Sequence, residues 1–137
     1  IENLKESLEE YNTLREIKNL VLLYRSRLCF REKEYKKSKD FIDNISPDWI
    51  KKIESEDINT YLIYWSYRGF IEDKLKNFAD AYSFFQRSQE HPFFIQENKN
   101  LYISYINQYR ELAKRKDKFF KSNIGELEVN QNLAFLV

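Results

Sequence analysis

Apolar side chains recur along most of the chain at intervals of three and four residues, the spacing of one face of an α-helix. Leu4, Leu8 and Tyr11 predict an amphipathic helix over residues 1–11. Thr13 and Glu16 fit a capping box, so we expect a separate helix from Leu14 to about Phe30. Further helices are predicted over residues 34–45, 47–54, 78–90 and 100–114, and one more around Trp65. The helix around Trp65 begins after a cap at Ser55 or Asp57, and a turn at Lys76-Asn77 separates it from the helix over residues 78–90.

Residues that interrupt regular structure are scarce. The 137 residues include two glycines and two prolines, so few tight hairpins can form and a β-rich fold is disfavoured. Gly125 is expected to end the helical pattern, and Asn130–Val137 fits a polar turn that leads into a β-strand. An apolar run this short also fits a helix fragment. The predicted fold class is all-α with a short strand-like C-terminal tail.

Two parts of the chain match each other when they are aligned with a shift of 43 residues. The aligned pairs include Leu22 with Trp65, Arg25 with Arg68, Ser26 with Gly69, Tyr35 with Phe78, Ser38 with Ala81 and Ile42 with Phe85. This internal match predicts two copies of an antiparallel helix pair. In the second copy, Gly69 and Ala81 are small, which predicts a close approach of the two helices, since a mid-helix glycine otherwise costs about 1 kcal/mol.

The second copy resembles a tetratricopeptide repeat, whose pattern is Trp-x2-Leu-Gly-x2-Tyr, then Ala-x3-Phe, then Pro. The residues in register are Trp65, Gly69, Ala81, Phe85 and Pro92. Arg68 replaces the leucine of the pattern and Glu72 replaces the tyrosine. The resemblance implies a solenoid of antiparallel helix pairs, with residues 100–114 as a terminal capping helix. The period exceeds the family's by roughly nine residues, which we assign to an extra helix that starts at Ser46-Pro47-Asp48.

The composition excludes several function classes. A net charge of +1 creates no general attraction to nucleic acid or to a membrane surface. One cysteine, Cys29, and one histidine, His91, leave little for metal or nucleophilic chemistry, and we expect Cys29 to be a small core residue. We predict no catalytic, metal or cofactor-binding residue within the chain, and a cytoplasmic location.

The resemblance also implies a concave groove, because the first helix of each tetratricopeptide pair lines a surface that often binds an extended peptide. The candidate groove residues are Tyr24, Arg27, Phe30, Arg31, Tyr67, Phe70 and Lys74. Aromatic rings beside cations can hold a peptide by stacking and by charge. The asparagines of the family's best-known peptide clamp are missing here, so that ligand is not carried over. The alternative is that these side chains pack against neighbouring helices or another domain.

The end of the chain carries a second resemblance. A basic aromatic segment, Lys118-Phe119-Phe120-Lys121, follows the helices and precedes the apolar run 132–137. This order is similar to that of bacterial proteins in which tetratricopeptide-like helices precede a sulfotransferase domain. In that family the strand leads into a loop that binds the phosphate of the sulfate donor PAPS. The resemblance implies PAPS only for a domain that would follow Val137. The start at Ile1, the lack of methionine and the apolar end favour a fragment of a longer chain, and the alternative is a chain trimmed for expression.

These patterns predict two regions and a function. Residues 1–117 form a tetratricopeptide-like helical region, and residues 118–137 form a linker and the first strand of a following domain. The predicted function is a non-catalytic scaffold at the N-terminal side of a PAPS-dependent sulfotransferase, with a protein, a peptide or the adjoining catalytic domain as partner. The alternatives are a stand-alone adaptor that binds a peptide in its groove, and a solenoid segment without a ligand.

Overall fold

The computed structural model describes residues 2–90 and 101–129, and over these ranges the chain is all-α. The helices are α1 (Glu2–Arg31), α2 (Tyr35–Asp43), α3 (Pro47–Glu56), α4 (Ile58–Lys74), α5 (Phe78–Gln89) and α6 (Leu101–Val129). α1 pairs with α2, α4 pairs with α5, and α6 packs against α5. The all-α prediction is therefore confirmed for the described residues. The predicted strand over residues 132–137 lies outside them, as do His91, Pro92 and residues 93–95.

α1 is one continuous helix of 30 residues, so the predicted division between residues 11 and 14 is wrong. Thr13 does not cap a second helix: its hydroxyl donates a hydrogen bond to the carbonyl oxygen of Glu9 at 2.9 Å, one helical turn earlier. A threonine hydroxyl can bond in this way inside a helix as well as at its start. No glycine or proline separates the two segments, so nothing in the backbone opposes their fusion.

The two helix pairs close with the same turn. Lys33 and Lys76, 43 residues apart, adopt left-handed backbone conformations with φ of 63° and 65°. The amide of Glu34 donates to the carbonyl of Cys29 at 2.9 Å, and the amide of Asn77 donates to the carbonyl of Glu72 at 2.8 Å. The donor and acceptor residues of the second turn are therefore those of the first turn shifted by 43 residues, the shift that aligns the two sequences.

The interiors of the two pairs are packed differently. In the first pair, Ser26 and Ser38 are fully buried, and each hydroxyl donates to the other residue's carbonyl oxygen, at 2.8 and 2.7 Å. In the second pair, Gly69 leaves space for the ring of Phe85: a Cβ at this position would lie 2.8 Å from the Phe85 Cζ atom and closer still to two other ring atoms. The close approach expected at Gly69 is thus made to an aromatic ring.

The extra helix forms much of the core between the pairs, as α3 buries Trp49, Ile50 and Ile53. These side chains join a cluster that also contains Leu23, Ile42, Ile45, Tyr61, Tyr64 and Ile71. Asp57 caps α4, accepting hydrogen bonds from the amide and the hydroxyl of Thr60 at 3.2 and 2.6 Å. Ser46 precedes Pro47 as predicted, but its hydroxyl accepts a hydrogen bond from Arg15 at 3.1 Å and does not cap α3.

α6 is longer than predicted, because the helix continues through Gly125 to Val129. A single glycine costs a helix only about 1 kcal/mol, which is too little to end it. Residues 118–129, predicted as a linker, are therefore helical. The second core cluster lies between α5 and α6 and contains Ala81, Phe85, Ile106 and Ala113.

Ion pairs connect each helix pair to its neighbour. Lys39 of α2 contacts Glu72 of α4 at 2.9 Å, and Arg68 of α4 contacts Asp43 of α2 at 2.6 Å. Arg68 thus joins the two pairs, while the guanidinium of Arg25, its counterpart in the first pair, lies 5.4 Å from the ring centre of Phe41.

Candidate protein-interaction surface

Four aromatic rings from α1, α4 and α6 form a row, which we call the aromatic row: Phe30, Tyr67, Phe70 and Tyr109. The ring centre of Phe30 lies 5.6 Å from that of Tyr67, and Tyr67 lies 5.8 Å from Phe70. Phe70 lies 5.0 Å from Tyr109. The interplanar angles are 84°, 81° and 89°, so the rings meet edge to face, a favourable arrangement for aromatic pairs.

The aromatic row is a packing element as well as a surface. Phe30, Tyr67 and Phe70 are half-buried, and Tyr109 is exposed. Phe70 also packs on the buried ring of Phe85, at 5.3 Å between ring centres. Part of each half-buried side chain thus joins α1, α4 and α6, which agrees with the alternative that these residues pack between helices. The rest remains accessible to a partner.

Arg27 lies beside the row. Its guanidinium carbon is 5.4 Å from the ring centre of Tyr67, within the range of a cation–π contact. Its Nε atom is buried and has no hydrogen-bond partner among the described residues. The Arg27 side chain as a whole is only half-buried, and a charged guanidinium beside a partly exposed ring is suited to a carboxylate or a carbonyl oxygen from outside the chain.

The structure brings together only some of the seven predicted residues. Arg27, Phe30, Tyr67 and Phe70 are contiguous through the ring contacts above. Tyr24, Arg31 and Lys74 are exposed, and none of them takes part in the ring contacts found in the described part of the chain. Tyr109 belongs to the row and was not predicted. Its place in the apolar pattern of residues 101–112 indicated only a packing role.

A cleft of about 490 Å³ lies on the other side of α4, bounded by α3 and α5. Two of the three arginine and aspartate side chains that line it, Arg68 and Asp43, are paired with each other. Arg68 donates to the Tyr64 hydroxyl at 2.8 Å and to Asp43, and the Arg87 guanidinium lies 5.1 Å from the ring centre of Trp65. We therefore assign the cleft to the packing of α3.

The electrostatics of these contacts agree with the geometry. Burial opposes the charge of Arg68, but the Tyr64 hydroxyl and the Asp43 carboxylate outweigh this effect and raise the pKa of the guanidinium. The hydrogen bond to Glu72 raises the pKa of the Lys39 ammonium. Both cations are therefore held in their charged form by partners within the chain, whereas residues 2–90 and 101–129 provide no such partner for the Nε of Arg27.

Other chemical candidates find little support. Cys29, which we predicted to be a small core residue, is half-buried and carries a free thiol. Within residues 2–90 and 101–129, no cluster of histidine, cysteine and acidic side chains is arranged to hold a metal ion. None of the helices described here combines the length and the apolar content that crossing a bilayer requires.

Comparisons with protein-family models, with curated proteins and with solved structures found no match. The arguments about function therefore rest on the residues and on their geometry.

Proposed function

We propose that this chain is a non-catalytic scaffold of tetratricopeptide-like helix pairs whose aromatic row binds an extended segment of a protein partner. The observation that carries the proposal is the half-buried guanidinium side chain of Arg27, which lies 5.4 Å from the ring centre of the half-buried Tyr67 in the aromatic row. Aromatic and arginine side chains are the residues most enriched where protein interfaces derive their binding energy. The tetratricopeptide-like arrangement is supported by the residues in register around Gly69 and by the matching turns of the two pairs.

The ligand chemistry follows from the two components of the surface. The edges and faces of the rings favour an apolar or aromatic side chain of the partner. The positive charge of the half-buried Arg27 side chain favours an acidic side chain next to it, because charge-assisted hydrogen bonds are the stronger ones. The proposed ligand is an extended peptide that carries an acidic residue beside an aromatic or aliphatic one.

A phage-displayed library of random peptides, selected on the whole chain, tests this proposal. Selected peptides should share the acidic and apolar pair and should bind R27Q at least about tenfold more weakly, since truncating a central contact costs about 2 kcal/mol. R31Q is the matched control, being an exposed arginine one turn further along α1. Equal binding to R27Q and to the wild type would contradict the proposal.

Thermal unfolding of the same variants separates recognition from packing. R27Q should keep the wild-type melting temperature, because the Nε of Arg27 has no hydrogen-bond partner within the described residues and a cation–π contact with the partly exposed ring of Tyr67 is weak. Y67A should lose both stability and binding, because Tyr67 also contacts Phe30 and Phe70. If R27Q lowered the melting temperature as much as it lowered binding, Arg27 would be a packing residue and the row would not be a binding surface.

The adjoining sulfotransferase domain stays a prediction. It is supported by the order of segments in the sequence, in which the basic aromatic residues 118–121 lie in the last helix and the apolar run 132–137 comes after it. Sequencing the coding DNA beyond Val137 tests it directly. A frame that continues into the glycine-containing phosphate loop supports a scaffold attached to an enzyme. A stop codon at that point leaves the stand-alone adaptor.

A further inference from the structure

Large apolar side chains form an exposed stripe along the whole of α1. The residues of this α1 stripe are Leu4, Leu8, Tyr11, Leu14, Ile17, Val21, Tyr24 and Leu28, with exposed fractions between 38% and 77%. The buried side of α1 is formed by other residues, among them Asn19, Leu23 and Ser26. Exposed apolar side chains are ordinary when they are single, but a contiguous set marks an interaction surface.

The spacing of the stripe is that of a coiled coil. Successive members are three or four residues apart, and their average spacing is about 3.4 residues, below the 3.6 residues of a helical turn. From Leu14 to Leu28 the steps alternate strictly between three and four, the pattern of the a and d positions of a heptad repeat. A stripe of this period favours a left-handed supercoil with another helix.

The N-terminal part of α1 is helical although residues 3–14 are all exposed. These residues extend the packed part of α1, but an exposed extension of this kind is marginal in water, because most helical stability in proteins comes from packing of an apolar face. Burial of the apolar positions Leu4, Leu8 and Tyr11 against another helix would supply the missing stabilisation.

The charges on α1 are divided between its two halves. Residues 3–13 contain three glutamates and one lysine, and residues 14–31 contain five basic residues and one glutamate. A second copy of α1 in parallel would place the basic halves side by side, where Lys18 and Arg25 flank the stripe. An antiparallel copy places each basic half against an acidic half, which is the complementary arrangement.

The stripe is also symmetric about its centre. When the order of the stripe is reversed about residue 16, each apolar position falls on another one to within one residue. The pairs are Leu4 with Leu28, Leu8 with Tyr24, Tyr11 with Val21, and Leu14 with Ile17. A two-fold interface requires this property, since residue i of the first copy contacts residue j of the second, and residue j of the first contacts residue i of the second. We propose that α1 pairs antiparallel with α1 of a second copy of this chain, along the α1 stripe.

Cross-linking tests the direction of pairing. In a Cys29→Ser background, a mixture of the variants L8C and Y24C should form a cross-linked dimer with a short bis-maleimide reagent. L8C alone should not, because the two copies of residue 8 would lie 16 residues apart along the axis, about 24 Å. Cross-linking of L8C to itself would indicate parallel pairing and overturn the proposal. L112C, an exposed position on α6, serves as the control.

Sedimentation equilibrium tests the association itself. The wild-type chain should be a dimer, and the double variant L8E/Y24E should dissociate at least about a hundredfold more readily, while L112E should behave as the wild type. Circular dichroism checks that L8E/Y24E remains a helical protein. If this variant does not fold, the cross-linking result decides. A wild-type chain that stays monomeric, or a dimer that L8E/Y24E does not weaken, would refute the proposal and assign the stripe to another partner.

Discussion

Lys39 and Glu72 form an ion pair whose two members differ in burial, and this difference predicts unequal effects of removing each one. Glu72 is 3% exposed, and its carboxylate accepts hydrogen bonds from Lys39 at 2.9 Å and from the side-chain amide of Asn77 at 2.6 Å. The Lys39 side chain is 36% exposed. The carboxylate therefore depends on its partners, whereas the ammonium can be hydrated without them.

The substitution K39M keeps the aliphatic part of the side chain and removes the charge, which leaves Glu72 buried with Asn77 alone. Breaking a fully buried pair costs about 3–5 kcal/mol, and partial exposure of Lys39 reduces this to about 2 kcal/mol. E72Q keeps the shape of the side chain, and its released partner is hydrated, so we expect about 1 kcal/mol. In K39M/E72Q no buried charge is left, and the loss should be smaller than the sum of the two.

Urea unfolding of the four proteins measures these free energies. The folded-state pKa of Lys39 is raised above its ordinary value. The stabilisation by its charge is therefore complete below the unfolded-state pKa of about 10.4. It is lost as the pH rises through the folded-state pKa. The difference in stability between the wild type and K39M should accordingly shrink in this alkaline range. A larger loss for E72Q than for K39M at neutral pH would refute the reasoning.

Other substitutions test the packing of the two helix pairs. G69A should destabilise the chain by about 1–3 kcal/mol, because the added methyl meets the ring of Phe85, although alanine is the better helix former; G69A/F85L should recover part of this loss in thermal unfolding. D57A should cost about 1 kcal/mol through loss of the cap of α4, and a larger loss of helix by circular dichroism would contradict this local effect. S26A should cost about 1–3 kcal/mol in urea unfolding, because it leaves a buried carbonyl and hydroxyl of Ser38 with fewer partners; no change would show that the pair is dispensable.

Local features of the sequence predicted the helix pairs well. The turn at Lys76-Asn77 and the cap at Asp57 depend on residues close together in the chain, and the structure confirms both. The extra helix after Pro47 was equally readable from its first three residues. The hydrogen bonds that form the turn and the cap join residues at most five apart, so the sequence alone carries the information.

Errors arose where a local pattern has two solutions. Thr13 satisfies the sequence pattern of a helix start, but its hydroxyl can equally bond to Glu9 inside a helix, and the choice depends on what the chain does on both sides. Gly125 weakens a helix without ending it. The sequence shows where such residues stand, but not the balance of free energies that decides whether the helix ends or continues there.

The candidate surface was predictable only in part. Phe30, Tyr67 and Phe70 follow from the positions that the first helices of repeats expose, and the structure shows these rings in mutual contact. Tyr109 joins them only because α6 lies beside α4. The composition of residues 91–100, which connect α5 to α6, does not predict this tertiary arrangement. Conversely, Tyr24 was assigned to the groove by its repeat position, but it lies on the exposed stripe of α1.

The left-handed conformation of Lys33 and Lys76 has a consequence for engineering the chain. A lysine with positive φ costs roughly 1–2 kcal/mol that a glycine would not. Neither turn therefore forms by its own preference, and each is held in place by the helices it connects. Both lysines are exposed, so the turns are suitable points at which to insert a fluorophore-binding tag, with the helix pairs keeping their register.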